Sequence, residues 1–216
     1  GLARAHMNLG NALLAMGETD RALAAYQAAV ACEPDFAPGH YSLGNAYWHK
    51  DQADLALHNY RSATQADPAF VLPWIAMANT LCDLRRYDEA FQASLKAISL
   101  GPDNPEAHYA HSRSLLRSGK LSEAIESLRD VIAINPHHMK AQATLALSLE
   151  DAMMNEEALL QHRKIADLAP SDPSYQTNLL FRLCHDESIS AEQLYKEHIN
   201  FGSSLESDFK DNWPIH

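Results

Sequence analysis

His108 and His111 stand three residues apart, a spacing at which two imidazoles on one helix face can share a metal ion. No third ligand completes the pattern, so histidines satisfied within a core explain the pair better, and the same holds for His137 and His138. Cys32, Cys82 and Cys184 are odd in number and share no short spacing, which argues for reduced thiols and a cytoplasmic setting. No glycine-rich phosphate loop and no Ser/His or Cys/His nucleophile motif occurs. The expectation is therefore a chain with no catalytic residue, no metal and no cofactor. What does recur is asparagine: Asn11, Asn45 and Asn79 follow one another at a constant interval. Asparagine is a mediocre residue inside a helix, and its amide offers both a donor and an acceptor. A ladder of such amides could hold an extended peptide by its backbone. Equally, the three could be idle copies of one ancestral unit.

The elements that carry these residues come from a repeat. Pro34, Pro68, Pro102, Pro136 and Pro170 are spaced 34 residues apart without insertion or deletion. With the prolines at position 32, five units result: 3–36, 37–70, 71–104, 105–138 and 139–172. Position 20 is then alanine throughout: Ala22, Ala56, Ala90, Ala124 and Ala158. Position 8 is small in every unit (Gly10, Gly44, Ala78, Ser112, Ala146), and position 24 reads Tyr26, Tyr60, Ser94, Leu128 and His162. Positions 4, 7, 8 and 11 form one apolar stripe at helical spacing, so each unit predicts two helices, with small residues where they approach. Gly17 and Gly119 fall where the first helix should end in a left-handed residue. Asp20, Asp54, Asp88 and Ser122 predict caps or first-turn groups for the second helix, and the position-32 proline should stop it.

Residues 3–172 resemble the tetratricopeptide repeat. The resemblance implies an all-α, right-handed superhelical solenoid of antiparallel helix pairs, with the first helices lining a concave groove that binds protein or extended peptide. Positions 2, 5, 9 and 12, flanked by 6 and 13, would face that groove. The candidate binding residues are Asn8, Asn11, Tyr41, Asn45, Trp48, Ile75, Asn79, Tyr109, Arg113 and Asn178. Rings at Tyr41, Tyr109 and Trp48 could anchor a ligand or instead fill contacts between adjacent first helices. The cationic clamp by which some adaptors of this family hold a C-terminal carboxylate has no match, since its windows supply Met7, Tyr41 or Ile75 where lysine is needed.

After the repeats, residues 173–206 read as a sixth half-unit and a capping helix from about Ser190, with Glu192 or Gln193 in a capping-box position. Leu194, His198, Phe201 and Leu205 share one of its faces, and 207–216 read as linker. The stretch Asn178–Leu183 with Asp186, Ser190, Glu192, Leu194 and His198 resembles the junction between repeats and catalytic region in bacterial relatives of O-GlcNAc transferase and SPINDLY. That likeness implies a parent enzyme moving sugar from a nucleotide donor to protein hydroxyls, with its catalytic residues beyond His216. The alternative is a stand-alone adaptor or scaffold, and an unsatisfied end unit would allow self-association. The opening residues lack an initiator Met, which suggests a piece of a longer chain. With 28 acidic residues against 17 basic ones, the net charge of −11 disfavours nucleic acid and anionic membrane as partners.

Overall fold

The computed structural model describes residues 1–170, 172–185 and 189–209, with side chains through Ser203. Among the described residues every regular element is a helix. They run α1 (Leu2–Ala15), α2 (Thr19–Cys32), α3 (Ala37–His49), α4 (Ala53–Ala66), α5 (Val71–Asp83), α6 (Tyr87–Leu100), α7 (Pro105–Arg117), α8 (Leu121–Ile134), α9 (Met139–Asp151), α10 (Asn155–Leu168), α11 (Pro173–Leu183) and α12 (Ala191–Phe209). The chain forms two compact bodies, residues 1–134 and residues 135–216. In the first, α1 packs on α2, α3 on α4, α5 on α6 and α7 on α8, and each second helix packs on the next first helix. In the second, α9 pairs with α10, α10 meets α11, and α11 meets α12.

The pairs share one turn. Gly17, Asp51, Arg85, Gly119 and Met153 all adopt positive φ, between 56° and 79°. This left-handed residue lets the following N–H, of Glu18, Gln52, Arg86, Lys120 or Met154, donate to the carbonyl five residues back, at 2.8–3.0 Å. The sequence marks only the two glycines; in the other three pairs a side chain tolerates the strained conformation because the turn is imposed from both sides. The second helices start without side-chain caps at Glu18, Gln52, Arg86 and Met154. Asp20, Asp54 and Asp88 lie inside the first turn. They therefore act through the helix dipole and not as caps. Each second helix ends two residues before the position-32 proline. The residue between them is turned out of helical backbone, with φ of −144°, −139°, −140° and −133° at Glu33, Asp67, Gly101 and Ala169.

The position-20 alanines are at most 3 % exposed. Position 4 does more than fill space. His40 Nε2 donates to the Pro34 carbonyl at 2.8 Å, His108 Nε2 to that of Pro102 at 2.7 Å, and Gln142 Nε2 to that of Pro136 at 2.8 Å. One side chain thus ties α3, α7 and α9 each to the turn before it. At the C-terminal side the expected capping box forms: Ser190 Oγ accepts from the Gln193 N–H while Gln193 Oε1 accepts from the Ser190 N–H. Ile189, Leu194 and Phe201 pack on Ala166, Leu179, Leu180 and Leu183, and His198 Nε2 lies 3.7 Å from Cys184 Sγ. The side chain of Leu205 and the acidic stretch at Asp186 lie outside the described residues. α12 continues to Phe209, three residues into the stretch that reads as linker.

Candidate functional site

Within residues 1–134 the first helices lie side by side, α1 against α3, α3 against α5 and α5 against α7, and so form one surface. Position 9 of each lies on it: Asn11, Asn45, Asn79 and Arg113. The two buried tyrosines at position 24 reach this row from behind. Tyr26 donates its hydroxyl to Asn11 Oδ1 and Tyr60 donates to Asn45 Oδ1, both at 2.8 Å. Burial pushes both phenols above their ordinary range, with Tyr41 adding to the effect at Tyr60, so each remains a neutral donor. Space for the rings is made by glycine. A Cβ on Gly10 would sit 2.5 Å from the Tyr26 ring, and one on Gly44 would sit 2.5 Å from the Tyr60 ring. In the third pair Ser94 replaces tyrosine, and Arg113 Nη1 takes over as donor to Asn79 Oδ1 at 2.7 Å, with Nη2 on Asp83 at 2.9 Å.

The asparagines are therefore not idle, because each amide oxygen is held by an internal donor. The apolar candidates are placed otherwise than as exposed anchors. Ile75 is buried in the core cluster of α4–α7, 7 % exposed. Tyr41 stacks edge-on against Phe70, with centroids 5.4 Å apart, and lies beside Tyr60. Trp48 packs on the same cluster, and Tyr109 is half-buried. These side chains cement adjacent helices, since apolar residues facing a neighbouring helix gain more from contact than from water. Asn8 is exposed on α1, while Asn178 is exposed on α11 in the second body.

The histidine pair separates into two jobs. His108 closes the turn at Pro102, whereas His111 Nδ1 meets Ser94 Oγ at 2.9 Å with its ring 5.0 Å from that of Phe91. Ser94 spends its proton on the Phe91 carbonyl, so His111 Nδ1 must be the donor. Burial, and next His108, hold the His111 imidazole below its ordinary range. His138 Nδ1 caps α9 by accepting from the Ala141 N–H. Among the described residues no group of three or more histidine, cysteine or carboxylate side chains converges to hold a metal.

Sequence reading missed the link between columns. Gly at 8, Asn at 9 and Tyr at 24 occur together in the first two units and in no other, and reading the columns jointly would have exposed it. It also missed a charged cluster in the second body. There Glu150 accepts from Arg182 at 2.5 Å and lies 2.6 Å from His162, the histidine that replaces tyrosine at position 24.

Fold and turn together define an all-α helical repeat protein. Models of the tetratricopeptide repeat match residues 10–51, 37–70, 75–138 and 109–173, and the chain belongs to that family. Among solved structures it is similar to a thermophilic TPR protein of Thermus thermophilus (20 % identity, TM-score 0.68, 84 % of this chain and 99 % of that one). It is also similar to pilF of Pseudomonas aeruginosa (18 %, 0.77, 100 % and 93 %). A third is YrrB, described as a TPR protein with an unusual peptide-binding site (25 %, 0.61, 76 % and 85 %). No curated protein matches the chain by sequence. None of these comparisons points to a glycosyltransferase.

Proposed function

We propose that the chain is a protein-interaction scaffold that holds an extended peptide on the first-helix surface of residues 1–134. The observation carrying this is the pair of anchored amides. Because the tyrosine hydroxyls fix Asn11 and Asn45 by oxygen, the amide nitrogen occupies the other branch of each side chain, a preset donor for a ligand carbonyl. Packed helices lie about 8–10 Å apart, and an extended chain in the polyproline-II form repeats every three residues with a rise of about 3.1 Å each, so the two amides suit carbonyls about three residues apart on such a peptide. Backbone recognition of this kind tolerates many side chains. The peptide-binding description of YrrB supports the reading by similarity.

Aspartate at both positions tests it. Asn11→Asp with Asn45→Asp keeps the acceptor for each tyrosine but removes the donor. Peptides selected by the wild-type chain from an unbiased display library should bind the double variant at least about tenfold more weakly, with unchanged far-ultraviolet circular dichroism. Equal affinity would sink the reading. Attachment to a nucleotide-sugar-dependent transferase rests on the resemblance of residues 178–198 alone. The cluster joining α10, α11 and α12 supports the plainer reading of those residues as a terminal cap. A catalytic α/β region encoded after His216 would restore the transferase reading, and a stop codon there would end it. Three free cysteines support a reducing, cytoplasmic setting as part of the same proposal.

A further inference from the structure

The row of fixed amides does not end at Asn45. Asn79 Oδ1 is held by Arg113 Nη1 at 2.7 Å, so the Asn79 amide nitrogen is a third preset donor. On α7 the row turns cationic. Arg113 donates to Asn79 and, at 2.9 Å, to Asp83, which fixes its guanidinium and leaves three of the five N–H groups of an arginine for a ligand. Arg117 stands one turn further along α7, on the same face, exposed, and among the described residues in no ion pair. Burial holds the Cys82 thiol above its ordinary range, Arg113 opposes this, Asp83 adds to it and Arg117 opposes it, so the three charges lie together around that residue.

The surrounding charge has the same sign. At positions 2, 5, 6, 9, 12 and 13 of the first four units stand three arginines, Arg4, Arg113 and Arg117, against two carboxylates, Asp83 and Glu106. That surplus of one positive charge belongs to a chain of net charge −11, so this surface is where an anionic ligand meets least repulsion. We propose that the peptide held here carries an aspartate or glutamate side chain, which Arg117 receives beside the fixed guanidinium of Arg113. The proposal rests on the peptide reading above and adds the chemical class of the ligand. With helices about 8–10 Å apart and a rise of about 3.1 Å per residue, the acid falls about three residues beyond the carbonyl at Asn79 and about six beyond the one at Asn45. One exposed ion pair contributes modestly, so it selects among peptides more than it sets their affinity.

Peptides selected by the wild-type chain from an unbiased display library are the probe. They should share an acidic residue at one fixed position, and replacing it by the matching amide should weaken binding about fivefold. Arg117→Gln should bind the acid and amide peptides equally, and Arg117→Glu should prefer a lysine at that position. Amidating the peptide C-terminus should change nothing. Loss of binding on amidation moves the anion from side chain to terminus and overturns the proposal. So do selected peptides without a shared acid, or an acid preference that persists in Arg117→Gln. If that preference persists while the melting temperature of Arg117→Gln falls, Arg117 serves the C-terminus of α7 instead. Asn11→Asp with Asn45→Asp separates the two readings. Undiminished binding to it, with the acid preference intact, sinks the amide ladder and leaves the acidic subsite standing. A library that yields no binder overturns both.

Discussion

At the scale of single residues, function and packing meet in the tyrosine–asparagine–glycine sets. Gly44→Ala should destabilise by roughly 1–3 kcal/mol in urea unfolding, because its methyl meets the buried ring of Tyr60. In a Tyr60→Leu background, patterned on the Ser112 and Leu128 pair of the fourth unit, the same change should cost far less, and an undiminished penalty would deny the contact. His111 makes a second test. Its folded-state affinity for protons lies below the ordinary value of 6.5, so the unfolded chain binds the proton more readily. The stability from neutral His111 is full above that value and is lost as pH falls through the folded pKa. His111→Leu, matching Leu43 and Leu145, should shrink the loss of unfolding free energy between about pH 7.5 and about pH 5.5. The asparagine row was visible in the sequence. Its partners were legible only in the co-occurrence of three repeat columns, because a hydrogen bond across 15 residues between two helices has no local signal.

At the scale of the helix pair, the 34-residue period was legible because apolar spacing and proline stops act locally and agree with each other. The left-handed turn was only partly legible: glycine declares it at Gly17 and Gly119, but Asp51, Arg85 and Met153 adopt it under constraint from the helices on either side. An L-residue in this conformation costs about 1–2 kcal/mol, and glycine relieves it at some entropic cost in the unfolded state. Met153 is 82 % exposed, so replacing it removes little contact. Met153→Gly should therefore raise stability by about 1 kcal/mol in chemical denaturation. A loss of stability would mean that the turn is less strained than its φ of 57° implies. The position-4 bonds to proline carbonyls escaped sequence reading for a related reason. Histidine, glutamine and tryptophan share that column without a common chemistry that sequence alone declares.

For the chain as a whole, stability of a repeat array is a sum over helix pairs and the contacts between neighbours. Residues 1–134 hold four complete pairs, with clusters running from α1 to α3 and from α4 to α7. That exceeds the three or so units an array needs to bury a continuous core. The second body holds two full pairs or fewer, closed by α11 and α12 through one cluster of Ala166, Leu179, Leu180 and Leu183. A chain cut after Ile134 should therefore keep its helical circular dichroism per residue and unfold in a single sigmoidal transition. The complementary piece, from Asn135 onward, should unfold at lower denaturant with a broader transition, because fewer apolar neighbours support each helix. Loss of structure in the first piece alone would show that its pairs depend on contacts beyond residue 134, and the peptide surface would then have to be assayed only in the full chain.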